Sequence, residues 1–301
     1  MGVLRQSTSQ ERLAPRQINR RKFFGLAAGA GVTAIAADGI LFEPMRPSIV
    51  RKEILLKRWP ARMDGFKIAL LSDFHYDPIF SVHPIQSAIE IVNRARPDLV
   101  LLTGDFVTSP PFGDRSRGLA DAEPCAQLLQ KLQAPHGRWA VMGNHDVIAG
   151  TRQVTAALRA AGLAVLSNSA VPIESNGGRF WLAVVGDALL KTADLHSALQ
   201  PLPPDEAVIL MAHEPDYADY VARYPVDLQL SGHSHGGQIR FPLVPPLYLP
   251  PLGRKYISGM HRIGELMLYT NIGLGTITIP VRLNCPPEVT LITVRRGQAG
   301  S

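Results

Sequence analysis

The chain has 301 residues, of which 46% are hydrophobic, enough for one large buried core or two small ones. Its formal charge of +6 is concentrated at the amino terminus, because residues 1–22 hold six Lys and Arg against one Glu and so carry +5. The remaining chain is close to neutral and lacks the basic footprint of proteins that bind nucleic acid through phosphate contacts. We therefore expect no nucleic-acid partner.

The amino terminus has the features of an export signal. The run Asn19-Arg20-Arg21-Lys22-Phe23-Phe24 resembles the twin-arginine consensus, and a weakly apolar, Ala- and Gly-rich stretch follows it. Ala34-Ile35-Ala36 offers a cleavage site. Without cleavage, residues 23–42 are about long enough to cross a bilayer, which needs ~20 apolar residues. The sequence thus predicts a twin-arginine signal or a membrane anchor over residues 1–42, and either fate is open.

Two consequences of this segment concern location and partners. We expect the twin-arginine translocase as a partner and a periplasmic or membrane-associated location. Residues 43–62 form a basic junction, in which residues 49–59 also have the composition of a first strand. Basic residues beside a membrane segment can hold a protein to anionic lipid, and a solvated strand face is the equal alternative.

Short apolar runs, each followed by polar residues, dominate the body of the chain. The runs of strand length lie at residues 67–72, 99–103, 139–142 and 207–212, with a weaker one at 228–231. Helical patterns lie at residues 84–95, 121–133 and 151–161. Continuous apolar runs are typical of strands buried on both faces, so the alternation predicts an α/β fold. Pro84 and Pro124 are expected in first helical turns, and Gly162 is expected to end the third helix.

Two loops flank the strand ends that are expected to form a site. Residues 108–123 are rich in Gly and Pro and could form a lid, in which Arg115 or Arg117 reaches a substrate phosphate; a surface loop is the alternative. Residues 241–253 hold five prolines among large apolar residues, which favours a stiff extended loop. Its apolar side chains either pack on the core or form a patch that binds acyl chains or bilayer. Arg254 and Lys255 could contact a second phosphate or a headgroup.

Five segments carry the side chains of a metal site. They are Asp73-Phe74-His75, Gly104-Asp105, Gly143-Asn144-His145-Asp146, His213 and Gly232-His233-Ser234-His235. Each one alone has an ordinary explanation as a turn, a cap or a buried histidine. Together their oxygens and imidazoles suit two divalent cations held ~3.5–4 Å apart by a bridging carboxylate. In this order they resemble the signature of the calcineurin-like metallophosphoesterase superfamily. The resemblance implies a four-layer αββα sandwich over residues 63–297.

The same resemblance implies a role for each polar residue. One metal would be held by Asp73, His75, Asp105 and His235. The other would be held by Asp105, Asn144, His213 and His233. His145 would stabilise the phosphate and protonate the leaving oxygen, with Asp146 orienting or charging its ring. The metals could be Mn²⁺, Fe or Zn²⁺. The other four histidines are expected to be structural, with His83 and His261 as weaker candidates for the cleft rim.

The last third of the chain narrows the resemblance to one branch. Residues 232–239, Gly273-Leu274-Gly275-Thr276 and Pro280-Val281-Arg282 are similar to exported or membrane-tethered phosphoesterases, including UDP-2,3-diacylglucosamine hydrolases. This implies hydrolysis of a phosphodiester or pyrophosphate bond in a lipid-linked substrate of the lipid A pathway type, with the membrane surface as a partner. Members often carry Arg before Gly-Leu-Gly, where this chain has Asn271-Ile272.

Two other functions fit the same residues. The chain could be a generic extracytoplasmic phosphodiesterase or phosphomonoesterase acting on nucleotides or cell-wall polymers. It could also be a catalytically inactive metal-binding module, although the complete ligand set with His145 argues against this. A cytoplasmic nucleotide-sugar substrate would require an anchor that is neither cleaved nor translocated. We expect a monomer. Cys125 and Cys285 could pair in an oxidising compartment or remain buried thiols.

Overall fold

The computed structural model describes residues 20–109, 116–200 and 202–297. The chain forms two compact units, residues 1–37 and residues 38–301. The first contains helix α1 (Arg20–Ala37). The apolar segment Phe23–Met45 is long enough, at 23 residues, to cross a membrane, and a signal sequence has the same properties. The basic region that precedes the two arginines, residues 1–19, lies outside the described residues.

The second unit contains two mixed six-stranded sheets. The strands of the first are β1 (Ser48–Leu56), β2 (Phe66–Leu71), β3 (Leu99–Leu102), β4 (Arg138–Ala140), β5 (Ala164–Val165) and β12 (Glu288–Arg296). Their order is β1-β12-β2-β3-β4-β5. Strands β2 to β5 are parallel, whereas β12 is antiparallel to β2 and parallel to β1. The predicted first strand is therefore β1, at the edge of this sheet.

The second sheet is formed by six strands from the later part of the described chain. Its strands are β6 (Ser169–Ser175), β7 (Gly178–Val184), β8 (Val208–Met211), β9 (Leu228–Ser231), β10 (Gly259–Ile263) and β11 (Leu266–Thr270). Their order is β10-β11-β9-β8-β7-β6. The four central strands are parallel, and each edge strand is antiparallel to its neighbour.

Alternating side chains build three apolar layers around the sheets. Leu101 in β3 and Ile209 in β8 belong to one core cluster between the sheets. Val100 points to the other side of its sheet, into a cluster with helices α2 (Val82–Ala95), α3 (Ser116–Leu129) and α4 (Asn144–Ala160). Leu210 points to the outer side of the second sheet, into a third cluster with the short helices α5 (Leu195–Leu199) and α6 (Ala218–Val221). Because both sheets are covered on both faces, the predicted four-layer αββα sandwich is confirmed.

Helix α3 differs most from the predicted elements. It begins at residue 116 rather than 121, so the second half of the predicted 108–123 loop is helical. Pro124 therefore lies inside the helix and not in its first turn, which corrects the prediction. The carbonyl of Ala120 loses its helical donor at this point, and because Ala120 is exposed, water can replace that donor. Pro84 does lie in the first turn of α2.

Helix α4 begins seven residues before the predicted helix. Its first residue is Asn144, so the Asn144-His145-Asp146 motif forms the first turn of the helix. The backbone is broken at Gly150, whose φ of 148° is not helical. The helical periodicity of the sequence is visible only after this break. Gly162 follows the end of the helix with a φ of +76°, as predicted.

Candidate metal centre

The five polar segments converge at the carboxyl ends of the central strands of both sheets. Asp73 and His75 follow β2, Asp105 follows β3, and Asn144 follows β4. His213 follows β8, and His233 and His235 follow β9. Backbone hydrogen bonds continue beyond the strands, from Asp73 N to Gly104 O at 2.9 Å and from Gly232 N to His213 O at 3.0 Å. These bonds hold the ligand-bearing loops side by side.

Five candidate ligands have left-handed backbone conformations. The φ angles are 50° at Asp73, 40° at His75, 54° at Asp105, 69° at His233 and 51° at His235. Such conformations are uncommon for residues with a side chain and cost ~1–3 kcal/mol each. They persist because the backbone bonds and burial around them determine the loops. Strain on this scale, gathered at one set of polar residues, is typical of a functional site.

Two motif glycines allow the loops to approach each other closely. A Cβ atom on Gly143 would lie 2.3 Å from Oδ1 of Asp105. A Cβ atom on Gly232 would lie 1.8 Å from Oγ of Ser72 and 2.4 Å from Oδ2 of Asp73. Any side chain at these positions would push the carboxylates away. The glycines are therefore required by contact with the site itself.

The candidate ligands form two groups that share Asp105. In the first group, Nε2 of His235 lies 3.0 Å from Nε2 of His75 and 3.4 Å from Oδ1 of Asp73. Nε2 of His75 lies 3.5 Å from Oδ2 of Asp105. In the second group, Nε2 of His213 lies 3.2 Å from that same Oδ2 atom and 3.2 Å from Nδ1 of His233. One carboxylate oxygen of Asp105 thus faces both groups, as the bridging role that the resemblance implies would require.

Oxygen partners on the outer ring nitrogens prepare three histidines for metal binding. Nδ1 of His213 lies 2.6 Å from the Thr103 carbonyl, and Nε2 of His233 lies 2.8 Å from the Pro251 carbonyl. Nδ1 of His75 lies 3.1 Å from Oγ1 of Thr108. Donation of the outer N–H to oxygen leaves the inner nitrogen with a free lone pair, the usual arrangement around bound metals.

The amide oxygen of Asn144 is a further atom whose surroundings suit a metal ion. It is buried and has no hydrogen-bond partner among the described residues, although burial of such an atom normally requires one. A metal ion would satisfy it. With the shared carboxylate and the directed imidazoles, the donor set fits two divalent cations, and carboxylate, amide and imidazole donors suit Mn²⁺, Fe and Zn²⁺.

Burial sets the protonation of the imidazoles. It lowers the pKa of His75 to about 3 and that of His233 to about 4, so both rings are neutral at pH 7. Burial also acts on Asp105 and His213, but their mutual attraction exceeds it, so the pKa of Asp105 is lowered and that of His213 is raised. Neutral imidazole and ionised carboxylate are the forms that bind metal, so a cation held by His213 would have to displace the proton that Asp105 favours on its ring.

His145 lies beside the two groups, as the resemblance implies. One of its ring nitrogens lies within 4.8 Å of a ring nitrogen of His75 and of a carboxylate oxygen of Asp105. Its Nδ1 atom is 2.7 Å from the Ser109 carbonyl oxygen and 3.1 Å from the Ser109 backbone nitrogen, and these contacts fix the ring. The other ring nitrogen remains available to hold or transfer a proton. Its backbone N–H donates to Oδ1 of Asp105 at 2.9 Å.

Asp146 has different partners from those implied by the resemblance. Its carboxylate accepts backbone N–H bonds from Phe106, Val107 and Gly143 at 2.8–3.2 Å. It therefore caps α4 and holds the loop after Asp105, whereas Ser109 orients the ring of His145. Burial, followed by the charge of Asp105, raises the pKa of Asp146 to about 8. The expected orientation of His145 by Asp146 is corrected accordingly.

A buried arginine supports the site from behind. Arg282 is fully buried and donates to the carbonyls of Gly275, Ile272 and Cys285 at 2.6–3.1 Å. The carbonyls of Ile272 and Gly275 lie on either side of Gly273 in the sequence, and a Cβ atom on Gly273 would lie 2.6 Å from Cβ of Asp73. Arg282 thus fixes the segment on which Asp73 packs. From the sequence, Arg282 was recognised only as part of the Pro280-Val281-Arg282 motif, and no role was predicted for it.

Of the four candidate substrate contacts, the three within the described residues have partners of their own. Arg115 lies outside the described residues. Arg117 pairs with Asp77 at 2.9 Å, and Lys255 pairs with Asp219 at 2.8 Å. Nε of Arg254 donates to the Leu249 carbonyl. A phosphate contact by Arg117 or Lys255 would require breaking its ion pair. His83 and His261 lie outside the metal groups, and Cys125 and Cys285 are buried free thiols.

Comparison with known proteins agrees with this geometry. The profile of the calcineurin-like phosphoesterase family matches residues 66–237, which include every candidate ligand. The chain belongs to this family. It is 34% identical over 289 residues to the uncharacterised metallophosphoesterase YkuE of Bacillus subtilis, covering 95% of this chain and 99% of that protein. It is 35% identical over 285 residues to the phosphodiesterase YaeI of Escherichia coli, covering 91% and 98%.

A third relative is described as a transmembrane protein. It is a transmembrane protein with a metallophosphoesterase domain from Danio rerio, 29% identical over 88% of this chain and 61% of that protein. Family membership and the ligand groups identify the chain as a metal-dependent phosphoesterase. Its amino-terminal apolar helix could serve as a signal or a membrane anchor.

Proposed function

We propose that this hydrolase cleaves phosphodiester or pyrophosphate bonds in lipid-linked substrates, with UDP-2,3-diacylglucosamine as the representative compound. The supporting observation is the contact between the metal centre and residues 241–253, here called the proline loop. Nε2 of His233 donates to the carbonyl of Pro251 in this loop at 2.8 Å. The side chains of Leu247 and Tyr248 are 71% and 67% exposed, so the loop presents apolar surface and does not bury it in the core.

The loop is held rigidly against the site from its other side. A Cβ atom on Gly237 would lie 2.2 Å from Cβ of Pro246 and 3.6 Å from Cδ2 of Leu249, so these two side chains pack on the segment that carries His235. An acyl chain lying along Leu247 and Tyr248 would therefore begin close to the metal ligands. This placement supports a substrate whose scissile phosphate and apolar tail are bound at the same time.

The residues of the chain have distinct tasks in the hydrolysis. Two divalent cations, when bound by the two ligand groups, supply Lewis acidity and a water of lowered pKa. Asp105 holds the groups together, and the loops around Asp73 and His233 orient the phosphoryl group between them. As the bond from phosphorus to the leaving oxygen breaks, His145 gives that oxygen a proton from its free ring nitrogen, while Ser109 keeps the ring in place.

The proposal extends to location and organisation. Residues 1–42 act as a twin-arginine signal or anchor, residues 43–62 as a basic junction, and residues 63–297 as the phosphoesterase domain of a monomer. Two metals of the Mn²⁺, Fe or Zn²⁺ type are expected. Protease accessibility in intact spheroplasts tests export, because a translocated domain is degraded and a cytoplasmic one is protected.

A second candidate function is an extracytoplasmic phosphodiesterase acting on nucleotides or cell-wall polymers. The relative from Escherichia coli, which is a phosphodiesterase by name, favours it. The inactive module has no support, since the ligand groups and His145 are complete. Paired substrates with one head group, either diacylated or deacylated, separate the two functions. The lipid-linked proposal expects at least about a tenfold higher kcat/KM for the acylated member, because each buried apolar side chain contributes ~1.5–3 kcal/mol. Equal values would overturn it.

A further inference from the structure

We infer that the enzyme docks on the lipid bilayer through one defined apolar face, formed by residues 40–42, Ile279 and the proline loop. This goes beyond the proposed substrate, because it names the surface that meets the membrane. The side chains of the face are all exposed large apolar residues. They are Ile40, Leu41, Phe42, Phe241, Leu243, Val244, Leu247, Tyr248 and Ile279.

Three chain segments are hydrogen-bonded side by side to build this face. Arg282 N donates to the Gly39 carbonyl at 2.9 Å, and Asn284 N donates to the Glu43 carboxylate at 2.9 Å. On the other side, Arg240 N donates to the Leu283 carbonyl at 2.8 Å. Residues 282–284 therefore lie between the segment that leaves α1 and the beginning of the proline loop. The two segments that carry the exposed side chains are therefore neighbours, joined through residues 282–284.

The continuity of the chain supports a bilayer as the occupant. Residues 40–42 are the last part of the apolar segment Phe23–Met45, which has the length and composition to cross a membrane. The residues on either side of them, Gly39 and Glu43, are hydrogen-bonded to residues 282–285 of the body. If the segment lies in a bilayer, its carboxyl end holds this side of the body at the lipid surface. The guanidinium of Arg46 lies 5.2 Å from the centre of the Phe42 ring, an arrangement suited to the headgroup region.

The proline loop holds Leu243 in a conformation and an exposure that are both unfavourable in water. Leu243 is fully exposed, at 105%, and has a left-handed φ of 65°. A leucine in that conformation is strained, and exposing its side chain adds a hydration cost. The protein provides no packing contact in return. Prolines hold the loop in this shape, so that Leu243, Leu247 and Tyr248 remain exposed. A stiff loop with apolar and aromatic tips is a typical interfacial anchor.

The inference is tested with the full chain reconstituted into vesicles of phosphatidylethanolamine and phosphatidylglycerol. Single cysteines are introduced as Leu243→Cys and Leu247→Cys, and each is labelled with a bimane fluorophore. The matched control is Asn176→Cys, an exposed position in the turn between β6 and β7. The native thiols are buried, so the introduced one reacts. Vesicles contain lipids with a nitroxide on the upper acyl chain, which quenches fluorophores that reach ~5–10 Å below the headgroups.

The expected result is quenching at positions 243 and 247, at least about twofold stronger than at 176, since interfacial anchors lie at that depth. Equal, weak quenching at all three positions would overturn the inference. Protection of 243 and 247 from an aqueous quencher, without quenching by lipid, would place a second copy on the face and would also overturn it. Loss of lipid quenching with retained preference for acylated substrate would reject the docking face and leave the proposed substrate intact.

Discussion

Oδ2 of Asp105 lies 3.2 Å from Nε2 of His213, joining a loop of the first sheet to a loop of the second. The same oxygen lies 3.5 Å from Nε2 of His75. One carboxylate therefore connects both ligand groups and both sheets. This explains why the site requires the whole sandwich, because either sheet alone would carry only part of the ligand set.

Replacement of His145 by Ala is expected to preserve bound metal and impair proton transfer. General acid catalysis typically contributes ~10²–10⁴-fold, so hydrolysis of alkyl esters with poor leaving groups should fall by this factor. A p-nitrophenyl ester needs no proton on its leaving oxygen and should lose much less. His196→Ala, at an exposed position in α5, serves as the control. Equal losses on both ester types would mean that His145 only positions the phosphate.

The hydroxyl of Thr108 is expected to influence metal affinity through His75. Thr108→Val keeps the shape of the side chain but removes the partner of Nδ1, which lies 3.1 Å away. Loss of such partners typically weakens metal binding ~10–100-fold. Thr108→Ser retains the hydroxyl and should behave as the wild type. Metal titrations of activity that are identical for the Val and Ser variants would show that this bond has no effect on binding.

Arg282 is expected to be a positioning residue for Asp73. Arg282→Met leaves three buried carbonyl groups without donors, and each unsatisfied group costs ~1–3 kcal/mol. The melting temperature should fall, and metal affinity should weaken with it, while saturating metal restores most of kcat. Arg262→Met, at an exposed strand position, is the control. A lower melting temperature with unchanged metal affinity would limit Arg282 to a structural role.

The exposed side chains of the proline loop should distinguish acylated from soluble substrates. Replacing Leu243, Leu247 and Tyr248 together by Ser should reduce kcat/KM on a diacylated substrate at least about tenfold more than on bis-p-nitrophenyl phosphate, since each engaged side chain contributes ~1.5–3 kcal/mol. The melting temperature should change little, because these three side chains are mostly exposed. Leu55→Ser with Tyr220→Ser, also at exposed apolar positions, is the control. Parallel losses on both substrates would contradict the prediction.

The sequence predicted those parts of the site that depend on local pattern. Apolar runs ending in polar residues indicated the strands, and their polar ends indicated where the site lies. The role of Thr103 could not be read in this way, since its carbonyl contacts His213 across 110 residues of chain. The same is true of the contacts of Pro251 and Arg282, and of the left-handed backbone at Asp105. These properties arise only when the two sheets meet.

The expectation for Asp146 was wrong for a simple geometric reason. Consecutive residues of a helix point in directions about 100° apart, so neighbours in sequence do not face each other. His145 and Asp146 form the first turn of α4, and their side chains therefore serve different surroundings. Asp146 binds the backbone N–H groups behind the site, while His145 faces the metal ligands. The early start of α4 was hidden by the break at Gly150.

The metal content and activity of Asp105→Ala test the central claim most directly. The wild-type enzyme should contain two divalent ions per chain by elemental analysis and hydrolyse bis-p-nitrophenyl phosphate. Because one carboxylate serves both ligand groups, the variant should lose high-affinity binding of both ions and all measurable hydrolysis. Its circular dichroism should match that of the wild type and of the surface control Asp64→Ala. A folded Asp105→Ala protein that retains two tightly bound metals and its activity would contradict the account.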